Sequence, residues 1–320
     1  MAANEPLLCG MVHTKDDRGK PLLREGNTNC GGCGMSIGLN MLSRALGDRP
    51  AQMVIPACCG IVTAGQYPMS AYGAPVVSST FASAAAVATG LAESARINND
   101  GTRVICWAGD GGTYDIGMAT VSAAAERNED ILYVCYDNEI YGNTGGQRSS
   151  ATPVGATTTT TPFGKTIEKK DILGIMAAHR VPYCATVNLA DLEDALRKMR
   201  QALDMKGFRF LHILAPCPTG WKSEPADGVE LVRLAVQSGL YPVYEAFDGT
   251  RFQLNSEPNF SRSALERYFQ EQGRFRKNVV DLDAVEAAIQ RHWNHLRSLP
   301  SVEIGDNEHT NPRPEGEPCT

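Results

Sequence analysis

The chain has 320 residues, of which 42% are apolar and 21% charged, which is typical of an α/β protein with a large core. Its net charge of −6, with no basic run longer than Lys169–Lys170, excludes nucleic acid as a main partner. No segment approaches the roughly 18 apolar residues of a membrane span, and charged residues lie where a signal peptide needs an apolar stretch. We therefore expect a cytoplasmic protein without a membrane partner.

Short apolar runs alternate with helical patterns from about residue 34 to residue 238. Strands are predicted at residues 52–57, 103–108, 131–137, 181–187 and 209–215, and helices at residues 36–46, 81–95, 116–126, 172–179 and 192–203. This alternation predicts a doubly wound α/β fold, with a mainly parallel sheet that helices cover on both faces.

The remaining segments fall outside this alternation. We expect an N-terminal extension over residues 1–25, an α/β domain over residues 26–240 and a C-terminal extension over residues 241–320. The C-terminal extension is predicted to begin with a hairpin that turns at Asp248–Gly249, continue with a charged helix at 282–296 and end in an acidic, partly disordered tail. The threonine-rich segment 148–161 is too long for an ordinary connection, so it is a functional or partner-covered loop, or else a flexible surface loop.

A glycine-rich turn, AGDGGTYDIG, follows the second predicted strand. Gly109, Gly111 and Gly112 let the backbone approach a phosphate, and a helix starting near Ile116 offers its free N–H groups to the anion. Asp110 supplies the kind of anionic oxygen that Mg²⁺ prefers. The turn therefore predicts a site for a metal-bound diphosphate.

Asn138 follows the next strand, and the 26 residues between Gly111 and Asn138 suffice for one crossover helix and one strand. Its side chain is therefore expected at the same sheet edge as Asp110, as a second Mg²⁺ ligand, with the Ile140 carbonyl as the third. A dinucleotide-binding turn is disfavoured because Tyr114 stands where the third glycine of G-x-G-x-x-G belongs. A turn without a ligand is the other alternative, and the spacing to Asn138 argues against it.

Ten cysteines are many for a chain in a reducing compartment, where disulfides are rare. Cys106, Cys135 and Cys184 lie in apolar, strand-like runs and are expected to be plain buried thiols. Cys9 and Cys319 lie in polar terminal segments, and no partner is assigned to them.

The other five cysteines lie in loops expected at one edge of the sheet. Cys30 and Cys33 form a C-x₂-C pair in NTNCGGCG, Cys58 and Cys59 end the first strand, and Cys217 follows the last. One pair and two single thiolates suit a [4Fe–4S] cluster. A structural zinc and unligated thiols are the alternatives, and zinc is disfavoured because its ligand pairs are usually local. Only one of Cys58 and Cys59 is expected to be a ligand, because adjacent side chains diverge.

Taken together, the motifs NCGGCG, AGDGGTYDIG, YDNEIYGNTGGQRSSATP, TTTTP and HILAPCPTGW resemble the β subunit of pyruvate:ferredoxin oxidoreductase and its 2-oxoacid relatives, over about residues 29–244. The resemblance implies a thiamine diphosphate-binding fold with thiamine diphosphate, Mg²⁺ and a [4Fe–4S] cluster as cofactors. It implies that Asn143 and Thr144 line the reacting end of the cofactor, with Asn143 as the candidate catalytic residue. The ligands that match the family are, for the cluster, Cys30, Cys33, Cys58 and Cys217, and, for Mg²⁺, Asp110, Asn138 and the Ile140 carbonyl.

The resemblance also implies an active site that is shared between subunits. In the family an α subunit supplies the activating glutamate and the residues that bind the substrate, and this sequence has no candidate for that glutamate. The implied reaction is the oxidative decarboxylation of pyruvate or a related 2-oxoacid, normally with coenzyme A as acyl acceptor. Electrons are implied to pass singly through the cluster to a ferredoxin-like subunit or ferredoxin.

Three alternatives stay open at this level. The first is a member of the same family that acts on a small diacid such as oxalate. The second is a non-redox thiamine diphosphate decarboxylase or synthase subunit with structural zinc. The third is a zinc-stabilised interaction subunit without catalysis.

Overall fold

The computed structural model describes residues 21–65, 70–278 and 280–301. Its strands are β1 (Ala51–Pro56), β2 (Val76–Ser79), β3 (Arg103–Gly109), β4 (Leu132–Asp137), β5 (Tyr183–Val187), β6 (Arg209–Leu214), β7 (Tyr244–Phe247) and β8 (Arg251–Leu254). They form one sheet of eight strands in the order β2-β1-β3-β4-β6-β5-β7-β8. Strands β1 to β6 are parallel, and β7 and β8 join the β5 edge in antiparallel pairing.

The helices are α1 (Gly34–Leu46), α2 (Cys59–Ala64), α3 (Ala84–Asn98), α4 (Met118–Glu126), α5 (Ile172–Ala178), α6 (Leu192–Asp204), α7 (Pro218–Trp221), α8 (Gly228–Gln237), α9 (Arg262–Gln270) and α10 (Leu282–Ser298). Helices α1 and α6 pack into one core cluster, and α3, α4 and α5 pack into another, with residues of the central strands in both. The sheet is thus covered on both faces, which confirms the predicted doubly wound α/β class.

Predicted and observed elements agree best where the sequence carries two independent signals. Helices α5 and α6 begin at the predicted residues, because Asp171 and Asp191 cap their first turns by accepting backbone N–H groups. Strands β4, β5 and β6 are buried along their whole length, as their continuous apolar runs predict. The short edge strand β2, together with α2, α8 and α9, was not predicted. β2 has only four residues, two of them exposed, and so lacks an apolar run.

The chain order along the sheet reverses beside β1. The chain leaves β1 for β2 on one side and then returns to place β3 on the other side of β1. In doubly wound sheets, ligands bind in the crevice at the carboxyl ends of the two strands that flank such a reversal. The segments after β1 and β3 hold Cys58, Cys59 and Asp110, so this topology concentrates the candidate residues at one point.

The C-terminal part described here extends the sheet and adds a third core cluster, built around Trp221 and Trp293. The predicted hairpin is confirmed: β7 and β8 pair in antiparallel register across a three-residue connection, with positive φ at both predicted turn residues, 53° at Asp248 and 62° at Gly249. Helix α10 confirms the predicted charged helix. Most of the N-terminal extension, with Cys9, and the tail that holds Cys319 lie outside the described residues. The proposed division at residue 240 stays a prediction.

The threonine-rich segment is packed against the body of the protein. Ser149, Thr152, Ala156 and Thr157 are buried. The Lys165 ammonium, which lies beyond the end of this segment in the chain, donates to the Thr152 carbonyl at 2.5 Å and holds the segment in place. This burial argues against the alternative of a flexible surface loop. Among the described residues, no helix is both long enough and apolar enough to cross a membrane.

The hairpin turn offers a test of the fold. A Cβ atom at Gly249 would lie 1.9 Å from the Ala177 carbonyl oxygen, whereas one at Gly101, which also has positive φ, would meet nothing within 4 Å. We expect Gly101→Ala to cost about 1–2 kcal/mol of unfolding free energy through backbone strain alone, and Gly249→Ala to cost about 1–3 kcal/mol more through overpacking. Denaturant unfolding measures both, and equal costs would contradict this account of the turn.

Candidate functional site

The glycine-rich turn is a π-helical turn, Gly111–Asp115, directly after β3. Asp110 itself has helical backbone angles, with φ −56° and ψ −45°. The helical backbone therefore begins at Asp110, and the expected start near Ile116 was wrong. The glycines permit this early start: a Cβ at Gly117 would lie 1.8 Å from the Gly112 carbonyl oxygen. The free N–H groups of the first helical turn thus lie immediately at the end of the strand.

Gly111 is enclosed by aromatic rings. A Cβ atom at this position would lie 2.0 Å from the Tyr141 ring and 2.9 Å from the Phe81 ring. These two rings pack edge to face, with their centroids 5.8 Å apart. The Tyr141 hydroxyl donates to the Asp115 carboxylate at 2.5 Å, which closes the turn on its outer side. Only glycine fits at Gly111 in this arrangement.

Three predicted oxygen ligands meet beside this turn. One heteroatom of the Asn138 side-chain amide lies 3.0 Å from Asp110 Oδ1 and 2.7 Å from the Ile140 carbonyl oxygen. If this heteroatom is the nitrogen, it donates to both oxygens; if it is the oxygen, three oxygens face one another and require a cation. Octahedral Mg²⁺ with bonds of about 2.0–2.1 Å holds neighbouring oxygens about 2.9–3.0 Å apart. The observed separations therefore fit a magnesium site with Asn138 in the second orientation.

Asp110 is only 2% exposed and accepts a hydrogen bond from the Ser149 hydroxyl. Burial, and then the nearby Asp137 carboxylate, raise the pKa of Asp110 well above its ordinary value. A buried carboxylate in this position is costly to ionise without a compensating charge. A divalent cation at the Asp110 side chain would supply that charge.

Asp137 anchors the turn that carries Asn138 and was missed by the sequence reasoning. Its Oδ2 accepts from the Tyr114 hydroxyl at 2.8 Å and from His212 Nε2 at 2.9 Å, and its Oδ1 accepts the Glu139 N–H at 2.9 Å. Burial acts to raise the pKa of Asp137, but His212, the Lys169 charge and the Tyr114 hydroxyl together lower that pKa below its ordinary value. The only sequence signal is the acidic residue just before Asn138 in YDNEI.

Asn143 and Thr144 lie on the exposed turn between Tyr141 and Gln147, which the Tyr141 N–H closes by donating to the Gln147 carbonyl at 3.0 Å. Thr144 is held there by its hydroxyl, which donates to Gln147 Oε1 at 2.6 Å. Asn143 Oδ1 lies 3.8 Å from the sulfur of Cys59. The predicted cofactor turn and the predicted thiol site are therefore in direct contact.

Four thiols line one cavity next to the oxygen cluster. Asn138 is part of the cavity wall and so belongs to both sites. The cysteines in the lining are Cys30, Cys33, Cys59 and Cys217. The Gly220 N–H donates to the Cys217 sulfur at 3.3 Å, a bond that stabilises a thiolate. Across residues 21–65, 70–278 and 280–301, no three His, Cys, Asp or Glu side chains are arranged to hold a single metal ion.

Cys58 is not among the residues that line this cavity. It is 8% exposed and belongs to the core cluster below the sheet edge, where its sulfur contacts the Tyr136 hydroxyl. Backbone direction explains the difference, because Cys58 is extended, with φ −161°, whereas Cys59 is the first residue of α2. The structure thus differs from the sequence expectation: Cys59 joins the three other thiols and Cys58 does not.

Clustering and burial disfavour the ionised thiols. Burial, and then the neighbouring thiols of Cys58 and Cys217, raise the pKa of Cys59 to about 12. Burial is also the main cause of the raised pKa of Cys33. It likewise raises the pKa of Cys217, to about 11. The thiols of Cys33, Cys59 and Cys217 would become thiolates on binding a strongly positive group. Cys106, Cys135 and Cys184, by contrast, are fully buried in β3, β4 and β5, as predicted.

Comparison with known proteins agrees with this site. Residues 57–213 match the model of the thiamine pyrophosphate enzyme C-terminal TPP binding domain. The chain is 40% identical over 290 residues to ketoisovalerate oxidoreductase subunit VorB of Pyrococcus horikoshii, which covers 87% of this chain and 93% of VorB. It is 42% identical over 260 residues to pyruvate synthase subunit PorB of Methanothermobacter marburgensis, which covers 79% of this chain and 89% of PorB.

A solved structure shares the fold. The 2-oxoglutarate:ferredoxin oxidoreductase from Magnetococcus marinus aligns with a TM-score of 0.59 and 22% identity, over 86% of this chain and 97% of that chain. The fold and the matched domain define a subunit of a thiamine diphosphate enzyme. The chain belongs to the family of 2-oxoacid:ferredoxin oxidoreductase β subunits, and it is a subunit of an oxidoreductase.

The enclosure of Gly111 predicts a specific stability defect. Gly111→Ala forces a methyl group into the Tyr141 ring, so we expect it to lower the unfolding free energy by about 1–3 kcal/mol. Gly90→Ala is the matched control, because Gly90 lies in α3 with nothing within 4 Å of an added Cβ. That change is expected to stabilise the protein by about 0.5–1 kcal/mol. A Gly111→Ala variant as stable as the parent would contradict the enclosed geometry.

Proposed function

We propose that this chain binds the diphosphate end of thiamine diphosphate through Mg²⁺, and a [4Fe–4S] cluster beside it, as the β subunit of an enzyme that oxidatively decarboxylates a 2-oxoacid. The observation that carries the proposal is that Asn138 belongs both to the oxygen cluster and to the wall of the four-thiol cavity. Adjacent sites suit a reaction that releases electrons at one and collects them at the other.

The chain's own residues divide this work. Asp110, Asn138 and the Ile140 carbonyl hold the metal, and the N–H groups that begin the π-helical turn face the diphosphate. Asn143 and Thr144 line the reacting end of the cofactor, with Asn143 in contact with the cluster ligand Cys59. Thiamine diphosphate supplies the bond cleavage at the 2-oxoacid carbonyl. These residues bind and orient the cofactor; the described part of the chain offers no acid placed to activate it.

The cluster is assigned to Cys30, Cys33, Cys59 and Cys217, because these four thiols share the cavity. When bound there, a [4Fe–4S] cluster would supply one-electron transfer toward ferredoxin or a ferredoxin-like subunit. Burial and N–H donors such as that of Gly220 set its potential. This assignment replaces the expected ligand Cys58.

The partners follow from what the site lacks. An α subunit is proposed to supply the activating glutamate and the residues that bind the substrate. The open turn at Asn143 and Thr144 is the surface that such a partner would complete. Exposed apolar side chains on nearby segments, Ile116, Phe163 and Ile167, suit a covered surface. Coenzyme A is proposed as the acyl acceptor, and the substrate as a small 2-oxoacid of the kind named for the relatives, ketoisovalerate or pyruvate.

The metal site predicts an effect on cofactor binding. Asp110→Asn removes the anionic ligand while keeping the shape of the side chain, so we expect the Kd for thiamine diphosphate with Mg²⁺ to rise at least about tenfold. Equilibrium dialysis of the purified complex measures the Kd, and the iron content should not change. Asp100→Asn, at an exposed position, is the control. Unchanged affinity in Asp110→Asn would refute the assignment of the turn.

The thiol cavity predicts a difference between two adjacent cysteines. Cys59→Ser should lose the iron and the broad absorption near 400 nm of the anaerobically purified complex, because it removes a cluster ligand. Cys58→Ser should retain about four irons per chain, since that thiol lies outside the cavity. Loss of iron in Cys58→Ser with retention in Cys59→Ser would reverse the assignment. Absence of iron from the parent complex would overturn the proposed function itself.

A further inference from the structure

A buried arginine from the C-terminal part of the chain reaches the region between the two sites. Arg274 lies in a 3₁₀ turn, Gly273–Phe275, and is 2% exposed. Its Nη2 lies 2.6 Å from the Glu139 carboxylate, and its Nε donates to Gln272 Oε1 at 2.8 Å. Glu139 directly follows the metal-ligand candidate Asn138, so one side of the guanidinium holds the metal-binding turn.

Arg274 also packs against Trp221, in the short helix that follows Cys217. The guanidinium carbon lies 4.4 Å from the centre of the Trp221 ring. Trp221 is the last residue of helix α7, and Cys217 is the N-cap of that helix. The backbone N–H of Trp221 donates to the Cys217 carbonyl at 2.7 Å. The Trp221 indole N–H also donates to the Asn138 carbonyl at 2.8 Å. Arg274 therefore packs against both the turn that binds the metal and the helix that carries a cluster ligand.

One nitrogen of the Arg274 guanidinium has no hydrogen-bond partner among the described residues. This nitrogen, Nη1, is buried. Within the described part of the chain, Glu139 is the one carboxylate paired with Arg274, and that carboxylate is shared with Lys169, whose ammonium lies 3.3 Å away. The positive charge of Arg274 also acts to lower the pKa of Cys217, although burial dominates and raises it.

We propose that Arg274 is a positioning residue that raises the reduction potential of the cluster held by Cys30, Cys33, Cys59 and Cys217. The inference rests on the proposed function. Reduction adds one electron, supplied by the 2-oxoacid or by a chemical reductant, and leaves the cluster one unit more negative. A buried cation nearby stabilises that reduced state through a medium of low dielectric constant. No bond to Arg274 is made or broken.

The ion pair supplies a test in which the sign of the effect is diagnostic. Arg274→Gln removes the cation and leaves Glu139, so the midpoint potential of the cluster should become more negative. Glu139→Gln removes the anion and leaves Arg274 unopposed, so the potential should become less negative. The double variant Glu139→Gln/Arg274→Gln should lie between the two. Anaerobic spectroelectrochemical titration of the purified complex measures all three.

Controls separate this role from folding. Arg274→Lys keeps the charge and should keep a potential close to the parent value, even if it unfolds more easily. Arg267→Gln changes an exposed arginine of α9 and should leave the potential unchanged. Shifts of the same sign in Arg274→Gln and Glu139→Gln, or a shift in Arg274→Lys as large as in Arg274→Gln, would overturn the inference.

If Arg274→Gln and Glu139→Gln both lose their iron, Arg274→Lys is compared with the double variant instead. The double variant keeps neither charge of the ion pair, so it leaves no uncompensated buried charge. Equal potentials in those two proteins, each different from the parent, would also overturn the inference. If the parent complex contains no cluster, the proposed function fails, and the inference fails with it. A parent with a full cluster and unchanged potentials in the variants refutes only the role of Arg274.

Discussion

The whole arrangement depends on parallel pairing, which brings the carboxyl ends of β1, β3, β4 and β6 to one edge of the sheet. Each of these strands is followed at once by a residue of the candidate site: Cys59 closely follows β1, Asp110 follows β3, Asn138 follows β4 and Cys217 closely follows β6. The central strands are buried on both faces, so a shift of pairing register by one residue would exchange the side chains between the two core clusters and break the packing of both. The same hydrophobic packing that fixes the fold thus fixes the spacing of the site.

Around this edge the chain buries polar groups whose charges it does not fully balance. Asp110 is almost fully buried next to Asp137, and the pKa of Asp110 is raised; the thiols of Cys59 and Cys217 are buried together, and their pKa values are raised as well. Native structures rarely keep such groups without partners. Cations fit both places, a hard one among oxygens and an iron cluster among sulfurs. Distant segments support them, since Ser149 comes from the threonine-rich loop and Arg274 from the C-terminal part.

Much of the fold was predictable because its signals are local. Continuous apolar runs indicated the buried strands, aspartate caps fixed the starts of two helices, and Asp-Gly marked the hairpin. The errors have a common physical source. A helix was expected from Ile116 because its periodicity starts there, but glycines at 111, 112 and 117 allow the backbone to turn helical at Asp110. Strand β2 has too few apolar residues to be recognised, and parallel pairing with β1 alone makes it a strand.

The sequence by itself determined the class of fold, the family and the two sets of candidate ligands, because strand periodicity and motif spacing are properties of short segments. It could not decide between Cys58 and Cys59. That choice depends on which way each side chain points where β1 gives way to α2, and only the packed structure turns Cys58 into the core and Cys59 toward the cavity. Nor could it find Asp137, His212 or Arg274 as supports of the site. Their roles arise from contacts between residues far apart in the chain, which exist only after the sheet and its C-terminal cover have packed together.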